Sequence, residues 1–152
     1  MRASVREPRG MAAGSVYPDQ GMSKRGHRKF GLFAHITWHT WRRERSVRRS
    51  EVQVVGRGIL MAAERQSVHV LAQAVLADHV HVVISFRPDR AITPFVRDAK
   101  SESARRVNTL RKGRFRWARG YYAGSLSHSH IPAARNYLAT QYARHPDRVP
   151  RE

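Results

Sequence analysis

Cysteine is absent from the 152-residue chain, and no apolar run approaches the length of a membrane span. Without cysteine there is neither a disulfide nor a thiolate ligand for a metal. A bilayer-spanning helix needs about 20 predominantly apolar residues in succession, so no membrane partner is expected. The start of the chain also lacks the basic stretch and apolar segment of a secretory signal. These absences predict a cytoplasmic protein.

Acidic residues are scarce. Eleven Asp and Glu stand against 29 Lys and Arg, which gives a formal net charge of +18 and a pI near 11.7. Basic side chains that contact phosphates release condensed counterions, and this gain dominates affinity for nucleic acids. A merely solvated basic surface is the plainer interpretation, and an anionic membrane is a minor rival because no basic amphipathic helix stands out. The charge favours nucleic acid as the partner.

The length suits one domain, since domains usually contain about 100–150 residues. Residues 1–27 contain glycines and prolines and show no sustained apolar period, so we expect a flexible basic leader there. The folded domain is expected over residues 28–145, followed by a short tail over 146–152.

Apolar periodicity predicts four strands and three helices. The predicted elements are a strand over 30–40, a helix over 47–66, a hairpin of strands 68–76 and 79–86 that each alternate regularly, a helix over 94–110, an irregular strand over 115–126 and a helix over 129–144. Thr93 and Ser129 are the predicted N-caps. This order predicts an α+β, ferredoxin-like split βαβ fold, in which a four-stranded antiparallel sheet carries two helices on one face. The third, C-terminal helix is an addition.

His79 and His81 form the most informative pair, because alternate residues of a strand project from the same face. Two neutral imidazoles on one strand can bind one divalent metal ion and leave positions open for water or phosphate. Satisfied histidines on a polar strand face are the alternative, since so short a pattern also arises by chance.

Two further histidine pairs are less informative. His128 and His130 have the same spacing but fall in a loop or at a helix start, where we favour a loop role or a phosphate contact. His35 and His39 share one face of the first predicted strand, but they are too far apart for a single ion unless the strand bends. Supporting, DNA-facing and plain structural roles stay open for this pair.

Tyr137 and Gln141 are separated by one helical turn and are expected to point the same way. A carboxamide oxygen beside two imidazoles suits Mg²⁺ or Mn²⁺ better than a closed thiolate zinc site. Tyrosine, with a pKa of about 10, needs activation or a polarised substrate to act as a nucleophile. An ordinary core-packing role is the alternative for Tyr137.

Five segments carry a family resemblance, and they occur in the family's order: His35-Ile-Thr-Trp-His-Thr40, Asp78-His-Val-His-Val-Val83, Lys100-Ser-Glu-Ser-Ala-Arg-Arg-Val-Asn108, Trp117-Ala-Arg-Gly-Tyr121 and Tyr137 to Gln141. Over most of residues 31–145 the chain resembles the HUH single-tyrosine transposases of the insertion-sequence 200 type, including the REP-associated tyrosine transposases. Five motifs in order are far more specific than any one of them.

The resemblance implies that His79, His81 and Gln141 bind a divalent metal, Mg²⁺ or Mn²⁺, and that Tyr137 is the catalytic nucleophile. In such an enzyme the tyrosine attacks a phosphate of single-stranded, hairpin-bearing or palindromic DNA. The attack gives a 5′-phosphotyrosine and a free 3′-hydroxyl, and the reverse reaction joins strands. The family also implies a homodimer and a nucleoid-associated, bacterial enzyme.

Basic residues on several predicted elements are candidate phosphate contacts, although each alone is more often a solvated charge. The candidates are Arg42, Arg43, Lys100, Arg105, Arg106, Arg114 and Arg116. A non-catalytic nucleic-acid-binding module on the same sheet remains an alternative, as does a domesticated protein that acts on repeated palindromes.

Overall fold

The computed structural model describes residues 31–152, and the predicted leader over residues 1–27 lies outside the described residues. The strands are β1 (Leu32–His39), β2 (His69–Val75), β3 (His79–Phe86) and β4 (Tyr122–Leu126). The helices are α1 (Val52–Arg65), α2 (Ile92–Leu110), α3 (Ile131–Ala139) and α4 (Gln141–Arg144). Short 3-10 turns occur at Trp41–Arg43, Arg49–Glu51, His128–His130 and Pro146–Arg148. Within residues 31–152, no helix has the length and apolar character needed to cross a membrane.

The four strands form one sheet in the order β2-β3-β1-β4, and every neighbouring pair is antiparallel. Strands β1 and β2 are joined in sequence through α1. They are not neighbours in the sheet, because β3 lies between them. This arrangement is the ferredoxin-like split βαβ, and the predicted fold class is confirmed.

One face of the sheet packs against α1 and α2 and forms the larger core. Ile36, Trp38 and Val82 project from this face and are fully buried. Burying one such side chain contributes about 1.5–3 kcal/mol, so this face supplies most of the stabilisation. The alternate residues of β1 and β3, which include His35, His39, His79 and His81, are left to the opposite face.

The opposite face is covered in part by α3, which packs on β2 and β3. Leu71 is an extra residue between Val70 and Ala72, and this bulge reverses which face the following residues occupy. Ala72 and Ala74 therefore lie under α3, whereas Val70 and Val75 join the core under α1 and α2. The prediction of regular alternation through 68–76 is wrong for this reason. Two alanines allow the helix to approach the sheet closely.

The first helix begins at Val52 rather than at 47 because a buried acid organises the preceding turn. Glu51 accepts a hydrogen bond from the backbone N–H of Arg48 at 3.0 Å and is ion-paired with Arg111. Both contacts hold residues 49–51 in a 3-10 turn, which precedes the α-helix.

Neither predicted N-cap, Thr93 or Ser129, caps its helix. Helix α2 begins one residue before Thr93, whose hydroxyl is instead hydrogen-bonded to that of Tyr121 at 2.6 Å. Ser129 lies inside the 3-10 turn that precedes α3. The predicted third helix is interrupted at Thr140, which separates α3 from α4.

The irregular strand predicted over 115–126 pairs continuously only from Tyr122 onward. Lys100 of α2 donates to the carbonyls of Ala118 and Gly120 at 2.6 and 3.0 Å, and Gly120 has a φ of 79°. These contacts hold the segment as a loop, because a residue in the left-handed region cannot continue a strand.

Residues 146–152, predicted as a tail, pack against the β2–β3 turn and the start of α1. The carbonyl of Arg148 accepts from the N–H of Ala77 at 2.8 Å, and that of Arg151 accepts from the N–H of Arg49 at 3.2 Å. Arg148 also forms an ion pair with Asp78. The end of the chain is therefore tied to the loop that precedes β3.

A glycine controls how closely α1 approaches α2. A Cβ added at Gly58 would lie 2.7 Å from the Cα of Ser103, whereas one at Gly56 would meet only the end of the Gln73 side chain, at 3.0 Å. We predict that Gly58→Ala lowers the free energy of unfolding by about 2 kcal/mol, because backbone must move to admit the methyl group. Urea titration followed by circular dichroism measures the change.

The matched control is Gly56→Ala, which lies in the same helix and should stay within about 1 kcal/mol of wild type, since alanine is the better helix former. Equal stability of the two variants would contradict the close helix contact at Gly58.

Candidate functional site

His79 and His81 lie on the face of β3 that α1 and α2 do not cover. Their Nε2 atoms are 3.1 Å apart. In the register with β1, His79 lies opposite His39 and His81 lies opposite Thr37. Strand β3 thus brings two ring nitrogens close together. The hydrogen-bond partners of each ring determine whether these nitrogens can bind a cation.

A buried carboxylate fixes the orientation of His79. The Nδ1–H of His79 donates to Oδ1 of Asp78 at 2.6 Å, and Asp78 is fully buried. The other carboxylate oxygen accepts from the guanidinium of Arg148. Because an ionised carboxylate can only accept, the proton of the neutral ring sits on Nδ1 and the lone pair is left on Nε2.

His81 is buried among polar neighbours of its own. Its Nδ1 lies 2.9 Å from Nε2 of His35 and 3.2 Å from the hydroxyl oxygen of Thr37. Burial, with a smaller contribution from His79, lowers the pKa of His81 to about 3, and burial lowers the pKa of His35 as well. Both rings are therefore neutral near pH 7, and donation from Nδ1 of His81 to His35 leaves its Nε2 lone pair facing His79.

The two Nε2 atoms form a half-site for a cation. Two lone pairs at 3.1 Å repel each other unless a proton or a metal ion lies between them. Neutral imidazole is a common metal ligand, and a carboxylate that holds Nδ1 is the usual partner of a metal-binding histidine. The donor chemistry of His79 and His81 therefore fits a divalent metal.

Tyr137 of α3 packs directly on this group of histidines. Its ring centroid is 5.6 Å from that of His81 and 6.0 Å from that of His35, with edge-to-face geometry at both. The guanidinium of Arg144 lies 5.3 Å from the centre of the tyrosine ring. The structure thus brings the predicted nucleophile to the histidine pair within a single chain.

Gln141 is fully buried at the start of α4. Its Nε2 donates to the carbonyl of Tyr137 at 3.0 Å, so the predicted one-turn relation survives the interruption at Thr140. Its Oε1 is also buried and has no hydrogen-bond partner among residues 31–152. A buried amide oxygen without a partner is costly, so this atom fits a metal ligand.

Carboxylates and thiolates do not complete the donor set. Within the described part of the chain, no group of three or more His, Cys, Asp or Glu side chains could hold a metal ion. The amide oxygen of Gln141 as a third ligand beside His79 and His81 stays a prediction.

Three of the predicted DNA contacts gather where β1 ends. Arg116 and Arg42 lie over the ring of Trp41, 4.0 and 5.7 Å from its centroid. Burial lowers the pKa of the His39 imidazole, and the positive charge of the nearby Arg43 is the second largest cause. The basic cluster of Arg42, Arg43 and Arg116 therefore lies beside His39. It borders one end of the sheet face that carries His35, His39, His79 and His81, which we call the histidine face.

The other predicted DNA contacts have different surroundings. Arg105 and Arg106 both pair with Glu102 on α2, in the layer that covers the far face of the sheet. Lys100 donates to loop carbonyls, and burial lowers the pKa of its ammonium group. Arg114 is exposed between α2 and β4. The structure does not bring Lys100, Arg105 or Arg106 to the histidine pair.

Sequence reasoning missed several residues of the site. Asp78 directly precedes His79 in the sequence, so this adjacency is a signal for its role as an orienting acid. Arg148 and Arg144 had no such signal, because contacts across long separations follow from tertiary packing. The role of His35, left open above, is to contact Nδ1 of His81.

Two of the other tyrosines, Tyr142 and Tyr121, are held by contacts elsewhere. The hydroxyl of Tyr142 donates to the carbonyl of Val75 at 2.8 Å, and burial raises the pKa of this phenol. The hydroxyl of Tyr121 is hydrogen-bonded to Thr93. Neither side chain makes the edge-to-face contact with His35 and His81 that Tyr137 makes.

Comparison with known proteins gives a family match and matches to solved structures. Residues 28–141 match the family described as "Transposase IS200 like". A proposed transposase from Deinococcus radiodurans R1 is 23% identical over 79% of this chain and 98% of its own, with a TM-score of 0.60. A REP-associated tyrosine transposase bound to a REP hairpin is 14% identical over 82% of this chain and 74% of its own, with a TM-score of 0.62. No curated protein matches the sequence significantly.

The buried, neutral His81 makes stability depend on pH. Its pKa is about 3 in the folded protein, against an ordinary value of 6.5, so the unfolded chain binds the proton first as pH falls. In metal-free protein with a chelator present, the free energy of unfolding should therefore fall by about 3 kcal/mol between neutrality and about pH 4 from this group. His81→Gln should flatten that dependence, as measured by urea titrations across the pH range.

His69→Gln is the matched control, because His69 is exposed on the same sheet. An unchanged pH dependence in His81→Gln would show that His81 is not a buried neutral imidazole.

Proposed function

The chain belongs to the IS200-like transposase family, a family of DNA-processing enzymes, and on that premise we propose that it cleaves and rejoins single-stranded DNA through a tyrosine–DNA intermediate. The observation that carries the proposal is the packing of Tyr137 against His35 and His81, beside the two converging Nε2 atoms. A phenol and a potential metal site belong together in a phosphoryl-transfer reaction, because tyrosine is a weak nucleophile unless its target is polarised.

In the proposed cleavage step the phenolic oxygen of Tyr137 attacks the phosphorus of the scissile phosphate. A Tyr–O–P bond forms, and the bond from phosphorus to the 3′ oxygen of the preceding nucleotide breaks. The phenol releases its proton to solvent and the leaving oxygen takes one up, which yields a 5′-phosphotyrosine and a free 3′-hydroxyl. Attack by a 3′-hydroxyl of another strand reverses these changes and rejoins DNA.

The residues around Tyr137 have separate tasks in this proposal. His79, His81 and Gln141 would hold a divalent metal, Mg²⁺ or Mn²⁺. Bound there, the ion would supply Lewis-acid polarisation of the phosphate. Asp78 keeps the lone pair of His79 on Nε2. His35 does the same for His81.

Cationic side chains support the DNA strand. Arg144, beside the ring of Tyr137, offsets negative charge as the phenol reacts. Arg42, Arg43 and Arg116 border the histidine face and contact the flanking phosphates. Contacts of Lys100, Arg105, Arg106 and Arg114 with DNA stay predictions, and those on the far layer could serve only DNA that wraps around the domain.

The substrate and assembly are proposed from chemistry and likeness together. The structural relative bound to a REP hairpin supports hairpin or palindromic single strands as the substrate of this fold. One tyrosine per chain can hold only one cleaved end, so joining two ends calls for a homodimer. In the single chain, Tyr137 reaches the chain's own histidines, which supports cleavage in cis. We propose that the enzyme acts on DNA of a bacterial nucleoid.

The chemistry predicts a covalent adduct that depends on Tyr137. Single-stranded DNA carrying the palindromes that flank the gene, labelled at its 3′ end, is incubated with the protein and Mg²⁺ or Mn²⁺. Wild type should transfer the label to a protein band on a denaturing gel. Tyr137→Phe and His79→Ala should reduce that band to background, because they remove the nucleophile and a metal ligand.

Tyr121→Phe is the matched control and should form the adduct, since the hydroxyl of Tyr121 is hydrogen-bonded to Thr93 of α2. An adduct with Tyr137→Phe would overturn the nucleophile assignment. Retarded migration of DNA with wild type but no adduct at all would favour the non-catalytic or domesticated binding protein.

Metal affinity provides a readout that is independent of cleavage. Titration of Mn²⁺ followed by electron paramagnetic resonance should show that Asp78→Asn weakens binding by about 10–100-fold, because the amide no longer fixes His79 through a charged acceptor. Asp89→Asn, an exposed acid paired with Arg87, is the control. Equal Mn²⁺ affinity of Asp78→Asn and wild type, with both variants folded by circular dichroism, would contradict the site.

A further inference from the structure

The histidine face is only half covered. Helix α3 packs on β2 and β3, and among the residues of β4 only Leu126 joins that packing. At the other end of β4, Tyr122 is 66% exposed, the largest exposure of any large hydrophobic side chain in residues 31–152. An aromatic ring left open on the face that carries the site needs an explanation beyond packing.

The sheet register places Tyr122 in the same row as the site. Tyr122 pairs with Thr37 of β1, and Thr37 pairs with His81 of β3. Directly opposed residues of antiparallel strands project from the same face, and neighbouring strands are about 4.8 Å apart. The backbone of Tyr122 therefore lies roughly 10 Å from that of His81, on the same side of the sheet.

A glycine makes room for the tyrosine ring. A Cβ added at Gly124 would lie 3.0 Å from the hydroxyl oxygen of Tyr122 and 3.4 Å from two carbons of its ring. Gly124 pairs with His35, so the phenol lies along β4 over the row of residues that contains His35. The ring thus rests on the sheet with its outer side open to solvent.

The adjacent tyrosine has a different environment. Tyr121 is 40% exposed, and its hydroxyl is hydrogen-bonded to Thr93 of α2. Its orientation is thereby explained by a contact within the protein. Within residues 31–152, the Tyr122 side chain has no hydrogen bond, aromatic ring contact or cation–π contact. Its ring lies over Gly124.

We propose that Tyr122 is a stacking platform for a base of the single strand, on the sheet face that carries His79 and His81. This inference rests on the proposed function. Every base has a π-face, so an exposed aromatic ring binds single strands with little sequence preference. The basic cluster of Arg42, Arg43 and Arg116, where β1 ends beside His39, supplies contacts for phosphates of the same DNA strand. Tyr122 orients the nucleotide and takes no part in bond breaking.

Stacking is tested directly with a fluorescent base. A short oligothymidylate containing one 2-aminopurine, whose fluorescence falls when it stacks, is titrated with the full chain and with Tyr122→Ala, Tyr122→Phe and Tyr121→Phe. The 2-aminopurine is placed at each position of the oligonucleotide in turn. Wild type, Tyr122→Phe and Tyr121→Phe should quench its fluorescence at one or more of these positions. Tyr122→Ala should lose the quenching and bind the strand about tenfold more weakly, within the range known for base stacking on aromatic residues.

The outcomes distinguish the stacking role of Tyr122 from the proposed function on which it rests. If wild type binds and cleaves DNA but Tyr122→Ala quenches and binds as wild type does, only the stacking role is overturned. If wild type neither binds single strands nor forms the adduct, the proposed function fails and the stacking role with it. A loss of dimer in Tyr122→Ala by analytical ultracentrifugation, with unchanged quenching, would assign the ring to a protein interface instead.

Discussion

The approach of two imidazole Nε2 atoms to 3.1 Å is the interaction on which the rest of the site depends. Each ring has its other nitrogen committed, His79 to a buried carboxylate and His81 to His35. Burial keeps His81 neutral, so charge repulsion between imidazolium ions does not separate the pair. An oriented and converging pair of ring nitrogens is what a divalent cation requires of histidine ligands.

The fold assembles this pair with a tyrosine through small features of the sheet. The bulge at Leu71 turns Ala72 and Ala74 toward α3, and their short side chains let the helix lie close to the strands. Tyr137 can then contact His81. The turn before β3 is held by a hydrogen bond to the carbonyl of Arg148. Site geometry therefore depends on packing at both ends of the C-terminal segment.

Much of this arrangement was accessible from the sequence, and the exceptions have a common cause. The spacing of His79 and His81 was enough to place both on one strand face, because strand periodicity is local. The bulge in β2 was not predictable, since an extra residue in one strand shows only in its pairing. The contacts of Arg148 and His35 were hidden for the same reason, because they join segments that are distant in the chain and depend on the completed sheet.

A crystal soaked in Mn²⁺ is the sharpest test of the metal site, because the anomalous signal of manganese locates the ion without reference to activity. One strong peak is expected within bonding distance of the Nε2 atoms of His79 and His81 and of Oε1 of Gln141, with Tyr137 beside it. A peak elsewhere, or histidine rings turned so that their Nε2 atoms no longer converge, would rule this site out.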